Sequence, residues 1–261
     1  MRSFIFAILF VTIILSSFGT VIAKDSNTAS DNVKVLFVGN SYTSWVQEVL
    51  EFFITNTKPQ AEFEFHTVGG SHLSLFANEE IEYGQDFLDS LNSQTWDYVV
   101  LQDRSVAVGR GDDWDDAFKK SVNKLSRLIR ESGAEPILYM TWARDGTSDY
   151  KNYEDMNSKI TQGYLSAGER ENAVVAPVGI AWHQVRTNNE KLGMELYADA
   201  NGHPTQKGQV LIAGVFFKLL FNDKLNWQNQ VSEILSDEEW TEIKRAILEN
   251  TSSINVTVKS Q

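Results

Sequence analysis

Five short apolar runs, parted by longer stretches with helical spacing, restrict what this chain can fold into more than any other property of its sequence. They fall at 33–38, 62–68, 96–101, 136–142 and 173–178, and are rich in β-branched and aromatic residues. Between them Val46, Leu50 and Phe53 recur at i, i+4 and i+7. Phe118, Val122, Leu125 and Ile129 repeat with the same period, and Gly133 stands where that helix would stop. Such alternation builds βαβ units, so the expected class is α/β, a five-stranded parallel sheet covered on both faces by helices. Four runs are nearly continuously apolar, as interior strands are, whereas Glu62-Phe63-Glu64-Phe65 alternates like an edge strand. The strand order that follows is 2-1-3-4-5, whose switch point, where ligands gather, lies between strands one and three. After the last run, 205–221 reads as a mostly buried helix. Ser236-Asp237-Glu238-Glu239 then has the spacing of a capping box opening an exposed helix to Asn250.

With 261 residues, 42% of them hydrophobic and 11% aromatic, a single core suffices and nothing suggests disorder. Arg2 followed by an apolar stretch to Leu15, with Val21-Ile22-Ala23 at its end, reads as a cleaved secretory signal over 1–23. The expected division is therefore a signal at 1–23, a polar tether at 24–32, one domain at 33–250 and a frayed tail at 251–261. The expected location is secreted or periplasmic, with no membrane attachment after cleavage. The tail carries two glycosylation-type triplets, Asn250-Thr251-Ser252 and Asn255-Val256-Thr257. There is no cysteine, so the domain holds together by burial alone. Against 23 Lys and Arg stand 35 Asp and Glu, a net charge of −12, which repels nucleic acid and anionic membranes and leaves neutral esters or sugars as compatible partners. No Walker or dinucleotide-type glycine loop is present, and no cofactor is expected.

The chemistry-bearing residues sit where strands end. Ser41 follows the first run, and Asp199 and His203 lie together far downstream; a hydroxyl becomes a nucleophile when an imidazole takes its proton and a carboxylate fixes that imidazole's tautomer. Gly69-Gly70-Ser71 follows the second run and Leu101-Gln102-Asp103 ends the third, so both arrive near Ser41. The N–H groups of Ser41 and Gly70 and the amide of Gln102 are then suitable donors for a tetrahedral oxyanion. Read singly, these residues also suit a helix cap, a tight turn and a loop tie.

Taken together, Gly39-Asn40-Ser41-Tyr42-Thr43, Gly70, Leu101-Gln102-Asp103-Arg104-Ser105 and His203-Pro204 resemble the blocks of the SGNH, or GDSL-like, hydrolase superfamily, over most of the chain from Val33 to about Phe221. They resemble in particular a bacterial branch with Gly-Asn-Ser-Tyr-Thr and Leu-Gln-x-x-Ser motifs. The resemblance implies a three-layer α/β/α sandwich of flavodoxin-like strand order and a metal-free Ser-His-Asp site that hydrolyses esters, often acetyl or other acyl groups on carbohydrates or lipids. Two positions depart from the pattern. Gln102 stands where an asparagine is usual, and the residue three before His203 is Ala200, with Asp199 four before. The imidazole is thus oriented by Asp199 or, failing that, by a backbone carbonyl or water.

Asn40, Arg104 and Trp142 are candidate substrate contacts; Trp142, at the end of strand four, suits a sugar-stacking or acyl-pocket role and core packing equally, and Arg104 and Arg144 suit an anionic substrate group or, by default, solvent exposure beside Asp103 and Asp145. His66, His72 and Asp103 have no metal-type spacing; His66, within a strand, and His72, opening a helix, read as packing and capping residues. Two functions remain open at this level: an exported serine esterase, and a carbohydrate-binding or scaffold protein with little turnover, the latter motivated by Ala200.

Overall fold

A computed structural model of the chain describes residues 32–252. The expected signal, all of the tether but Asn32, and all of the tail but Thr251 and Ser252 lie outside the described residues.

The elements in chain order are β1 (Lys34–Gly39), α1 (Ser41–Ser44), α2 (Gln47–Thr55), β2 (Glu62–Thr67), α3 (Leu73–Phe76), α4 (Glu82–Asn92), β3 (Tyr98–Leu101), α5 (Asp113–Glu131), β4 (Glu135–Tyr139), α6 (Tyr153–Glu171), β5 (Val174–Ala176), α7 (Val178–Asn188), α8 (Glu190–Glu195), α9 (Gln206–Phe221), α10 (Gln228–Val231) and α11 (Asp237–Thr251). The five strands form one parallel sheet in the order β2-β1-β3-β4-β5, as the patterning requires. Register sets Val38 against His66 on one side and Leu101 on the other, so β1, β2 and β3 end at the same level.

Successive strand residues point to opposite faces, and the core divides accordingly. Val35, Phe37, Tyr98, Val100, Ile137 and Tyr139 face a layer made by α2, α7, α9 and α11. Leu36, Val38, Val99, Leu101 and Leu138 face α3 to α6, where Phe118, Val122, Leu125 and Ile129 form the buried stripe of α5. Helix α9 is buried nearly throughout and is capped by Thr205, whose hydroxyl accepts from the Gly208 N–H.

The capping box at Ser236 is present, its hydroxyl and the Glu239 carboxylate bonding each other's backbone N–H. The helix it opens is not the exposed one that its charged first turn suggested. Trp240, Ile243, Ala246 and Ile247 are buried, with Ile247 so close to Gly214 of α9 that a Cβ there would meet it at 2.4 Å. Among the described residues no helix is long and apolar enough to cross a membrane.

Candidate active site

The carboxyl ends of β1, β2 and β3 converge on one cleft of about 190 Å³ at the switch point of the sheet. Ser41 is the first residue of α1, presented by Asn40, whose extended backbone (φ −117°, ψ −154°) and side-chain cap on the Tyr42 N–H turn the chain sharply out of β1. Gly39 is required at the strand end, because a Cβ there would meet the Gln102 Oε1 at 2.5 Å and the Thr43 hydroxyl at 2.6 Å.

The Ser41 hydroxyl lies 2.9 Å from His203 Nε2, and His203 Nδ1 lies 2.7 Å from Asp199 Oδ2. A carboxylate only accepts, so the ring proton sits on Nδ1 and Nε2 is free to accept from the serine. Burial pushes the Asp199 carboxyl up, but hydrogen bonds from the ring and backbone N–H of His203 outweigh it and hold the group below its ordinary 3.8. It is therefore ionised whenever the imidazole needs a counter-charge.

The separation of four residues between Asp199 and His203 is resolved by a hairpin. Tyr197 bridges Pro204, the Ala198 N–H donates to the His203 carbonyl at 2.7 Å, and the Gly202 N–H donates to the Asp199 carbonyl at 3.0 Å, so Asp199 and His203 flank one tight turn. Three side chains from elsewhere hold the carbonyls of that turn. Arg144 Nε donates to Ala200 at 3.1 Å, the Tyr42 hydroxyl to Asn201 at 2.7 Å and Trp142 Nε1 to Gly202 at 3.0 Å. Gly202, at φ +88°, has no room for a Cβ, which would meet the Tyr42 hydroxyl at 2.5 Å. Burial raises the Tyr42 hydroxyl above its ordinary 10.0, so it keeps the proton it donates.

Two of the residues expected to supply donors line the cleft. The turn Val68-Gly69-Gly70-Ser71 is closed by the Ser71 N–H on the Val68 carbonyl, with positive φ (+69°) at Gly70 only, a type II turn that needs glycine there. Gly70 lines the cleft with Ser41, and among the described residues neither N–H has a protein acceptor.

Gln102 is not placed as expected. Its Oε1 accepts from the Asn40 N–H (2.9 Å) and the Thr43 hydroxyl (2.8 Å), and its Nε2 donates to Asn40 Oδ1 (3.0 Å) and the Asp103 carbonyl (2.6 Å). With both N–H bonds committed and 1% of the residue exposed, it braces the turn under Ser41 and does not reach the cleft. Trp142 is likewise no substrate contact. It is fully buried, stacked between Tyr42 (4.7 Å) and Trp182 (4.2 Å). Asn40 and Arg104 do line the cleft, although one N–H of the Asn40 amide is spent on the Ser71 carbonyl at 3.0 Å.

His72 caps no helix through its side chain; its ring packs against Trp114 at 4.4 Å and bonds Asp103. Sequence reasoning passed over Trp45, an exposed ring stacked on His203 at 4.4 Å and 18°. Its signal was present, since residue 45 lies one helical turn after Ser41 and so on the same side.

This sheet order and the helical layers on its two faces make the architecture that of the SGNH hydrolases. Some of the solved structures similar to this chain are described in the same terms. One is a protein assigned to the SGNH hydrolases from Slackia heliotrinireducens, 27% identical over 70% of this chain and 96% of that one, with a TM-score of 0.59. A DUF4886 family protein from Bacteroides uniformis is 18% identical, covering 87% of this chain and 98% of that one at a TM-score of 0.68. A catalytic mutant of Axe2, an acetylxylan esterase from Geobacillus stearothermophilus, is 15% identical over 73% and 95% of the two chains at 0.51. The SGNH/GDSL resemblance read from the motifs and the solved structures thus agree. No protein-family model and no curated protein matches the sequence.

Proposed function

We propose that the protein is an exported serine hydrolase of carboxylic esters. The observation that carries this reading is the unbroken hydrogen-bonded chain from the Ser41 hydroxyl through His203 to Asp199, opening into a cleft that Ser41 and Gly70 also line, each with a backbone N–H that has no protein acceptor among the described residues. Ser41 Oγ attacks the ester carbonyl while His203 Nε2 takes its proton, and the oxyanion forms beside the N–H groups of Ser41 and Gly70. The imidazolium, stabilised by Asp199, gives the proton to the departing alcohol. A water then repeats the sequence, His203 accepting its proton and returning it to Ser41 Oγ as the acyl group leaves as an acid.

A cavity of about 190 Å³ is smaller than the roughly 300–1,000 Å³ of sites for drug-sized ligands, which favours a short acyl group such as acetyl. The structural likeness to an acetylxylan esterase is consistent with a carbohydrate ester as substrate. A binding or scaffold role drew its support from Ala200 at the usual acid position, and Asp199 2.7 Å from the ring favours the enzyme reading instead.

A fluorophosphonate probe tests the reading directly. The expected result is one label per chain, on Ser41, absent in Ser41→Ala and strongly slowed in His203→Ala. No labelling of the folded native protein overturns it.

A further inference from the structure

The charge on this molecule is distributed unevenly around the cleft. Eight arginines lie among the described residues, and six of them pair with a carboxylate: Arg110 with Asp112 and Asp149, Arg127 with Glu131, Arg130 with Glu135, Arg170 with Glu171, Arg186 with Asp145 and Arg245 with Glu242. The two without a carboxylate partner, Arg104 and Arg144, both line the cleft, whose lining includes no aspartate or glutamate. In a chain with 35 acidic residues to 23 basic ones, an unpaired guanidinium is the exception, and here both exceptions face one cavity.

Each is held in place by neutral groups. Arg144 is committed through Nε to the Ala200 carbonyl and through Nη1 to the Ser105 hydroxyl at 3.2 Å, which fastens the His203 hairpin. Arg104 is exposed at the rim, and its Nη1 lies 3.3 Å from His72 Nε2. An arginine only donates, so that nitrogen of His72 is bare and its proton is on Nδ1, directed at the buried Asp103 3.3 Å away. Trp114 stacks on the imidazole at 4.4 Å. Asp103 therefore spends its charge on His72 Nδ1 and the Arg104 backbone N–H (2.7 Å), and the guanidinium itself is left facing the cleft.

We propose that the ester taken by this cleft carries a carboxylate, bound by Arg104 with the field of Arg144 behind it, and that His72 is the positioning residue for Arg104. The inference rests on the esterase reading and narrows its substrate class. It also reverses what net charge alone suggested, since a molecule that repels anions at large has an attractive spot where the ester enters. A guanidinium binds a carboxylate through paired, charge-assisted hydrogen bonds that a hydroxymethyl group in the same place does not replace.

The carboxylate can belong to the alcohol or to the acyl group, and two pairs of substrates separate these. The first is an O-acetylated methyl glucuronoside against the matching O-acetylated methyl glucoside; the second is a monoaryl succinate against the aryl butyrate. The expected result is a kcat/KM preference of about tenfold or more for the acid in at least one pair. That preference falls to within about twofold in Arg104→Gln, is partly kept in Arg104→Lys, and is reduced in His72→Ala. Acid-to-neutral ratios near one in both pairs, for a native protein whose Ser41 still takes the fluorophosphonate, overturn this inference and leave the esterase standing. A preference that survives Arg104→Gln also overturns it. Absence of labelling removes both.

Discussion

At the scale of single residues, the site depends on where one carboxylate reaches. Asp199 contacts His203 with both oxygens, Oδ2 accepting from the ring N–H and Oδ1 from the backbone N–H, so it fixes tautomer and orientation at once. Asp199→Asn leaves the shape and removes the counter-charge, and kcat is expected to fall by about 10²–10⁴-fold. Asn201 lines the cleft but offers the clamp only its carbonyl, so Asn201→Ala should stay within about threefold of native. Steady-state kinetics on a short aryl ester distinguish the two, and a larger loss in Asn201→Ala than in Asp199→Asn would mean that Asp199 is not the orienting acid. Ser41 and His203 could be read from the sequence as strand-end and loop residues of the right kinds. Gln102 and Trp142 could not, because their roles are set by neighbours remote in the chain. The space left by the missing Cβ of Gly39 draws the Gln102 carbonyl inward, and the rings of Tyr42 and Trp182 enclose Trp142.

At the scale of elements, the strand order was legible because burial on two faces and on one leave different patterns, continuous in β1 and alternating in β2. The hairpin carrying His203 was not, since its geometry comes from donors contributed by the segments that follow β1 and β4. Nor was the packing of α11, whose apolar stripe of Trp240, Ile243 and Ile247 is interspersed with acids and lysine and becomes core only because α7 and α9 offer it a surface. The clamp on the hairpin makes its own prediction. Tyr42→Phe keeps the ring stacked on Trp142 and deletes the hydrogen bond to Asn201, so kcat on a neutral aryl ester should drop about tenfold through misplacement of His203, with KM changed less. Unchanged kcat in a folded Tyr42→Phe variant would show that Arg144 and Trp142 hold the hairpin unaided.

At the scale of the whole molecule, stability is expected to respond to a histidine outside the cleft. His66 on β2 lies edge-on to Phe76, with Nδ1 near the Ser90 hydroxyl at 3.4 Å and Nε2 buried without a partner. Burial lowers it below its ordinary 6.5, against the opposing pull of Asp86 and Glu64. The unfolded chain then binds the proton more readily than the folded one, so the stability this group contributes is complete above 6.5 and is lost as pH falls from there through the folded-state value. Urea denaturation between about pH 7.5 and pH 5 should give a flatter dependence for His66→Gln than for the native protein, and parallel curves would assign the loss to other groups.

The hydroxyl of Ser41 and the ring of His203 are 162 positions apart along the chain, and the hairpin bearing the ring is tied down by side chains from the ends of β1 and β4. No fragment that stops short of the last third can assemble the pair, so a growing or unfolded polypeptide is chemically silent. If the proposed chemistry holds, reactivity requires the closed sandwich, and ester cleavage would then be a readout of completed folding.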